Sequence, residues 1–246
     1  MSDRLKLLKA ATRMAFFDTG FDGWDYATSG GTIFLVSLNG KPYGITATHV
    51  RQTFEWRQLC VTDEKDGRQI AGLKFVSRAT NLTGDAEGTD IGDISIIEFS
   101  DDIGTEFFNG GIFSLDQVTT GGSETGDALI AYGLPKEHTT IGDGKINPTY
   151  AELGFEDSGA HDHDPFLRRL IGQWHKPVVT ALTGMSGCGV FNTTKDVLTG
   201  VLLRGGVSDG VATGLFIDIE DVTRILNAIH TGTMTTNYRK IVRKPV

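Results

Sequence analysis

Cysteine is nearly missing: Cys60 and Cys188 are the only two in 246 residues. Two thiols cannot build the disulfide scaffold of a secreted mini-domain, and they do not fall at a metal-binding spacing, so a packed core in a reducing, cytoplasmic setting is expected. Long apolar runs are missing too. No segment approaches the roughly 20 residues needed to cross a bilayer, so no membrane partner is expected. The opening MSDRLKLLKAATRMAFF is interrupted by Lys6, Lys9 and Arg13, which argues against a secretory signal. Basic charge is in deficit, with 23 Lys and Arg against 31 acids and a net charge of −8, which repels a phosphate backbone and makes nucleic acid an unlikely main partner. Neither G-x-x-x-x-G-K-[ST] nor G-x-G-x-x-G occurs, so ATP and dinucleotides have no visible seat and no cofactor is expected.

What the chain does have is glycine, 32 residues of it against six prolines, with 39% hydrophobic content. That balance suits many short strands and tight turns around a substantial core, hence a β-rich class. GGTIFLVSL, NG and KPYGITA read as a β-hairpin turning at Asn39-Gly40. RQLCVTD, RQIAGLKFV and GDISIIEF supply further strands in the first half, with a polar loop over 77–91 and a crossing over 100–111. GDALIAYGLP, residues 148–154, GCGVFN, VLTGVLLRGG and VATGLFIDI continue the rhythm in the second half. Leu5, Leu8, Ala11 or Thr12 and Ala15 or Phe16 fall at helical spacing near the N-terminus. Val222, Ile225, Leu226 and Ile229 do so near the C-terminus, with Gly232 as a stop and a basic tail beyond.

Residues 183–191, TGMSGCGVF, hold Ser186 among Gly184, Gly187 and Gly189. Alone, this is either a nucleophile on a tight turn or a small residue where the backbone bends. A nucleophilic serine needs a base, an acid to orient the base, and two N–H groups for the developing oxyanion. YGITATHV delivers His49 where a strand pattern stops, at a rim rather than in a core. GDISIIEF puts Asp93 directly before an apolar strand, ahead of the loop acids Asp85 and Asp90 as a candidate. The N–H groups of Gly184 and Ser186 are candidates for the oxyanion site.

These segments resemble the trypsin-like (chymotrypsin-fold) serine peptidases. The resemblance rests on Thr46-Ala47-Thr48-His49, on Asp93-Ile94 opening a strand, and on Gly184-Met185-Ser186-Gly187. The chain order His, Asp, Ser matches, and the likeness runs over about residues 30–230. It implies an all-β fold of two six-stranded antiparallel β-barrels with an N-terminal and a C-terminal helix. The lead-in would occupy 1–29, the first barrel 30–105, the second 106–217, and the closing helix and tail 218–246. It implies endopeptidase chemistry on a polypeptide substrate, with His49, Asp93 and Ser186 catalytic and Gly184 with Ser186 as oxyanion donors. Substrate contacts fall by position on Thr180, Leu203, Arg204, Gly205, Gly214 and Phe216. Position 180 carries no carboxylate, which implies an apolar or uncharged side chain before the cut, while Arg204 offers the alternative of recruiting an acidic one. Met185 stands where zymogen-type relatives keep an acid, so activation by cleavage is not implied.

Other features have plainer readings. Gly206-Val207-Ser208-Asp209-Gly210 spells G-x-S-x-G, but a strand follows it, so Ser208 reads as a hairpin residue. His161 and His163 have H-x-H spacing without a third ligand, and no metal is expected. Cys188 fills a small site beside Ser186 unless its pKa is lowered, and Cys60 reads as core. A protein free in the cytoplasm is expected to be restrained by, or selective for, a protein partner. The rival to the enzyme is a module that cuts nothing and holds a peptide by strand addition beside residues 201–206.

Overall fold

A computed structural model describes residues 2–21, 24–28, 30–64, 69–78, 93–116, 120–142, 145–173 and 179–233. The loop acids Asp85 and Asp90 and the basic tail after residue 233 lie outside the described residues. Among the described residues the chain is mostly β with two α-helices, α1 (Asp3–Ala10) and α2 (Ile219–Thr231).

The first half forms two sheets. The larger has the order β1 (Thr12–Met14), β4 (Thr32–Leu38), β5 (Lys41–Ala47), β8 (Ile94–Phe99) and β7 (Leu73–Arg78), with β9 (Phe113–Ser114) parallel to β4. The smaller joins β2 (Phe16–Phe21), β3 (Trp24–Ala27) and β6 (Leu59–Cys60). Asn39 and Gly40 turn the β4–β5 hairpin with φ of 52° and 72°, the left-handed pair that a two-residue hairpin requires. The expected closed barrel is not formed here by continuous pairing among the described residues. β6 has only two residues, and its continuation is a single bridge, Thr62 to Ile70. The buried guanidinium of Arg13 spans this region instead, donating to the carbonyls of Ala10, Thr12, Thr62 and Asp63. Burial pushes its pKa down.

The second half does close, as a barrel in the order β10 (Ala128–Gly133), β13 (Ala151–Ala160), β14 (Leu167–Gln173), β17 (Val211–Asp218), β16 (Val197–Ser208) and β15 (Gly189–Asn192). β13 alternates buried and exposed along AELGFEDS, as a strand with one face in a core must. Ser208 ends β16, and Asp209-Gly210 turns the chain into β17. β11 (Thr140–Gly142) and β12 (Lys145–Asn147) form a separate two-stranded sheet.

The N-terminal helix stops earlier than the periodicity predicts. Ala11 and Ala15 are buried, but Thr12–Met14 pair with β4 and end the helix at Ala10. α2 runs as its spacing predicts, capped by the Asp218 carboxylate, which accepts from the Glu220 amide, and ended by Gly232 at φ 67°.

Candidate active site

Strand register carries His49 to Asp93. In the β5–β8 ladder Ala47 lies opposite Ile94, so the chain leaving β5 and the chain entering β8 face each other one step beyond the last pair. There the chain leaves β5 in a short 3-10 turn over Thr48–Arg51. The buried hydroxyls of Thr48 and Ser95 meet at 2.9 Å and pin the two strands. His49 Nδ1 lies 2.7 Å from Asp93 Oδ2, and the His49 backbone N–H donates to Asp93 Oδ1 at 3.1 Å. A carboxylate accepts only, so Nδ1 carries the ring proton of a neutral imidazole and Nε2 presents its lone pair. That lone pair faces Ser186 Oγ at 3.0 Å. The three side chains are thus brought together in one hydrogen-bonded chain, with Ser186 only 7% exposed.

The turn that presents Ser186 is fixed from several sides. Gly184 and Gly187 have φ of 97° and 93°. The carbonyl of Thr183 accepts from the Lys136 amide at 2.7 Å, and that of Met185 from the Cys188 amide at 3.0 Å. In a trans peptide the N–H points opposite the C=O, so both bonds turn the amides of Gly184 and Ser186 the other way. Among the described residues neither amide is given a partner within the protein. Two unspent backbone donors flanking a serine are what an oxyanion site requires.

Thr32, which the sequence reading did not single out, holds this turn against the first half of the chain. Its amide donates to the Ser186 carbonyl at 2.9 Å, and its hydroxyl donates to the Gly184 carbonyl at 2.8 Å. The same oxygen accepts from the Leu134 amide at 3.2 Å, and the Thr32 carbonyl accepts the Thr46 hydroxyl at 2.8 Å. A threonine opening a strand is too common for sequence alone to flag it. Met185 is fully buried in the barrel core beside Cys188. Burial pushes the Cys188 thiol pKa up, opposite to an activated cysteine.

The expected substrate contacts divide. Arg204, Gly205 and Gly214 line a cavity of about 490 Å3 together with Ser158, His161 and Arg169. Leu203 and Phe216 do not reach it: both are fully buried, Phe216 in the barrel interior and Leu203 in the larger core. Alternation explains Phe216, because Leu215 takes the outward position on β17. Thr180 is exposed and does not line the cavity either. Its amide and hydroxyl both donate to Glu137, whose carboxyl these bonds hold below the usual range. A carboxylate therefore stands beside position 180 after all, supplied by a different loop. His161 Nδ1 accepts from the His163 amide at 3.4 Å, and no cluster of three metal-binding side chains occurs among the described residues.

Beside the site β16 outruns one of its two partner strands, and Leu202, just past the last pair, bonds to Gly187 and Cys188 instead. β15 pairs with β16 only from Val197 to Val201, whereas β17 pairs with β16 as far as Ser208.

No protein-family model matches the sequence, and no curated protein matches it. Solved structures do match. Mouse neuropsin, a serine protease of the brain's limbic system, has a TM-score of 0.59 at 13% identity, covering 90% of this chain and 95% of its own. An inactivated protease paralogue of the scabies mite, S-D1, has 0.60 at 10%, covering 96% and 97%. The MamO protease domain of Magnetospirillum magneticum has 0.53 at 12%, covering 90% and 98%. The fold is that of the chymotrypsin-like serine proteases.

Proposed function

We propose that this protein is a serine endopeptidase that works through an acyl-enzyme. One observation carries the reading: the continuous chain Asp93, His49, Ser186, with links of 2.7 and 3.0 Å. Ser186 Oγ attacks the scissile carbonyl while His49 Nε2 takes its proton, and the Asp93 carboxylate steadies the imidazolium. The negative oxygen that forms is held by the Gly184 and Ser186 amides. His49 then protonates the leaving amine, and water reverses the sequence on the acyl-enzyme. β17 accompanies β16 as far as Ser208 while β15 pairs with it only to Val201, an arrangement that supports an added substrate strand beyond Leu202, held by main-chain bonds.

A built turn argues for activity without proteolytic activation, since Thr32 and two pinned carbonyls hold it where no charge pair at Met185 is available. Restraint then comes from selectivity for a partner protein, and casein should be cut slowly. A reducing compartment such as the cytoplasm suits Cys60 and Cys188, both buried thiols that form no disulfide.

The test is covalent labelling with a fluorophosphonate probe. Wild type should be labelled and Ser186→Ala should not, and His49→Ala should slow labelling by roughly 10²–10⁴-fold. Equal labelling of wild type and Ser186→Ala removes the serine from its role. Absence of labelling in wild type that still binds peptide favours the module that holds a strand without cutting it.

A further inference from the structure

We infer that Lys136 selects a carboxylate on the leaving segment of the substrate, carried by an aspartate or glutamate side chain or by the end of a short chain. The inference rests on the reading of Asp93, His49 and Ser186 as the catalytic chain, and it names what the far side of the cut bond recognises.

The leaving side is fixed by the base. His49 must hand its proton to the departing amine, so the segment after the cut leaves on the side of the 3-10 turn Thr48–Arg51. Val50, the next residue of that turn, is buried against Gly31, where a Cβ would come within 2.2 Å of Val50 Cγ1. Gly30 and Gly31 lead directly into Thr32, whose amide donates to the Ser186 carbonyl at 2.9 Å. Leu202 takes the opposite flank of the nucleophile's turn, accepting from the Gly187 amide at 2.7 Å. The pair Gly30-Gly31 therefore floors the path of the leaving segment.

Lys136 reaches that floor from the oxyanion side. Its backbone nitrogen lies 2.7 Å from where a Cβ on Gly184 would stand, and its amide donates to the Thr183 carbonyl at 2.7 Å, so the residue starts beside one oxyanion donor. From there its stem crosses Gly30. A Cβ on Gly30 would stand 3.1 Å from each of Lys136 Cβ, Cγ and Cδ, closer than ordinary contact, and Gly30 has φ of 76°. A side chain at position 30 would thus be strained by its backbone and would crowd the stem. A stem already laid across a glycine loses less freedom when a ligand arrives.

The charge at its tip is uncommitted. Lys136 is exposed, and among the described residues its ammonium has neither an ion pair nor a hydrogen bond. The acids around it are spent elsewhere. Asp93 is bound by the His49 ring and amide, and Glu137 by the amide and hydroxyl of Thr180, with His138 Nε2 4.0 Å from Glu137 Oε1. An ammonium is a point charge with three rotatable donors, so it takes a carboxylate without demanding a single orientation. In a protein of net charge −8, an uncompensated base beside the nucleophile marks where an acidic group can be received. At about 3.3 Å per residue, a stem of this length serves roughly the first three residues after the cut.

The experiment uses full-length Ser186→Ala protein and fluorescent octapeptide pools, amidated at the C-terminus, in which one position at a time is fixed as Glu, Gln or Lys and the rest are mixed. Fluorescence anisotropy should give roughly three- to fivefold tighter binding for Glu than for Gln at one position, the strength of an exposed ion pair, and the gap should shrink with added salt. It should vanish in Lys136→Ala and turn to favour Lys in Lys136→Glu, each combined with Ser186→Ala, and persist in Lys6→Ala. Shorter pools with a free rather than an amidated C-terminus separate the chain end from the side chain as the source of the carboxylate. Retained thermal stability of the double variants shows that the loss is local. Equal affinity for acid and amide in both sets overturns the inference, as does a Glu preference that survives Lys136→Ala, or no binding of any peptide. A preference for Lys overturns it too and assigns Glu137 as the selecting group. Where wild type cuts the pools, mass spectrometry should place the preferred Glu within about three residues after the cut bond, and a place before that bond overturns the assignment. Because the alanine variant has no nucleophile, failed labelling with a kept, Lys136-dependent preference sinks the peptidase alone, and successful labelling without preference sinks the Lys136 site alone.

Discussion

At residue scale the site depends on two glycines that no other residue can replace. A Cβ at Gly187 would sit 2.0 Å from the Thr32 carbonyl oxygen, and one at Gly184 would sit 2.2 Å from that of Leu134. Both obstacles are backbone, so no side chain can swing aside, and both φ angles lie in the region L residues avoid. Gly187→Ala should therefore cost about 3 kcal/mol or more, a fall in Tm on the order of 6–12 °C. Gly154 lies in the same barrel with no neighbour within 4 Å of a Cβ. Gly154→Ala should leave Tm nearly unchanged, and differential scanning fluorimetry of the pair makes the comparison. Equal shifts would mean that the turn at 187 yields and that its tightness is not what presents Ser186. Cys188 has a humbler role: fully buried, it occupies the space a Cβ on Gly133 would need.

At the scale of elements, the start of β4 decides how the nucleophile's turn is held. Removing the Thr32 hydroxyl leaves the Gly184 carbonyl and the Leu134 amide unpaired in a buried place, a cost of roughly 1–3 kcal/mol. Thr32→Val should accordingly slow fluorophosphonate labelling of Ser186 by tenfold or more, and Thr32→Ser should restore it. A Val variant that loses stability but labels at the wild-type rate would reduce Thr32 to a structural contact. The same elements show what a single sequence can disclose. The β4–β5 hairpin was readable because Asn39-Gly40 fits only one kind of turn, and α2 because its apolar stripe and its glycine stop agree. The nearness of His49 to Asp93 follows from strand ends, which the pattern locates. β14 was not readable, since adjacent Arg168 and Arg169 hide its alternation. Only the fold supplies the buried Asp157 that takes Arg168 in two contacts of 2.8 and 3.0 Å. Ala11 and Ala15 misled because alanine fits either a helix face or a strand. Glu137, in a short turn after β10, and Arg169, in β14, owe their surroundings to packing that no local pattern encodes.

At the scale of the whole molecule, the catalytic chain crosses between two separately built halves. Asp93 and His49 belong to the first sheet and Ser186 to the barrel, so the 3.0 Å link survives only while the halves keep their relation. A shared apolar core supports this. Phe191, Val201, Leu203 and Ile217 of the barrel pack in one cluster with Phe34, Ile45 and Ile97 of the sheet. α1 clamps across the same junction. Leu8 is fully buried, with Cδ1 2.7 Å from where a Cβ on Gly189 would stand. Arg4 donates to the Asp196 carbonyl at 2.7 Å, and Lys9 pairs with Glu152 on β13. Leu8→Ala should open a cavity at this seam and cost about 2–5 kcal/mol. If the seam sets the His49–Ser186 distance, the variant should also lose labelling rate at temperatures where it is still fully folded. Lys6→Ala, which removes only the exposed pair with Asp3, should change neither Tm nor labelling. A Leu8→Ala protein with lowered Tm but an unaltered labelling rate would show that α1 stabilises the fold without tuning the distance on which proton transfer depends.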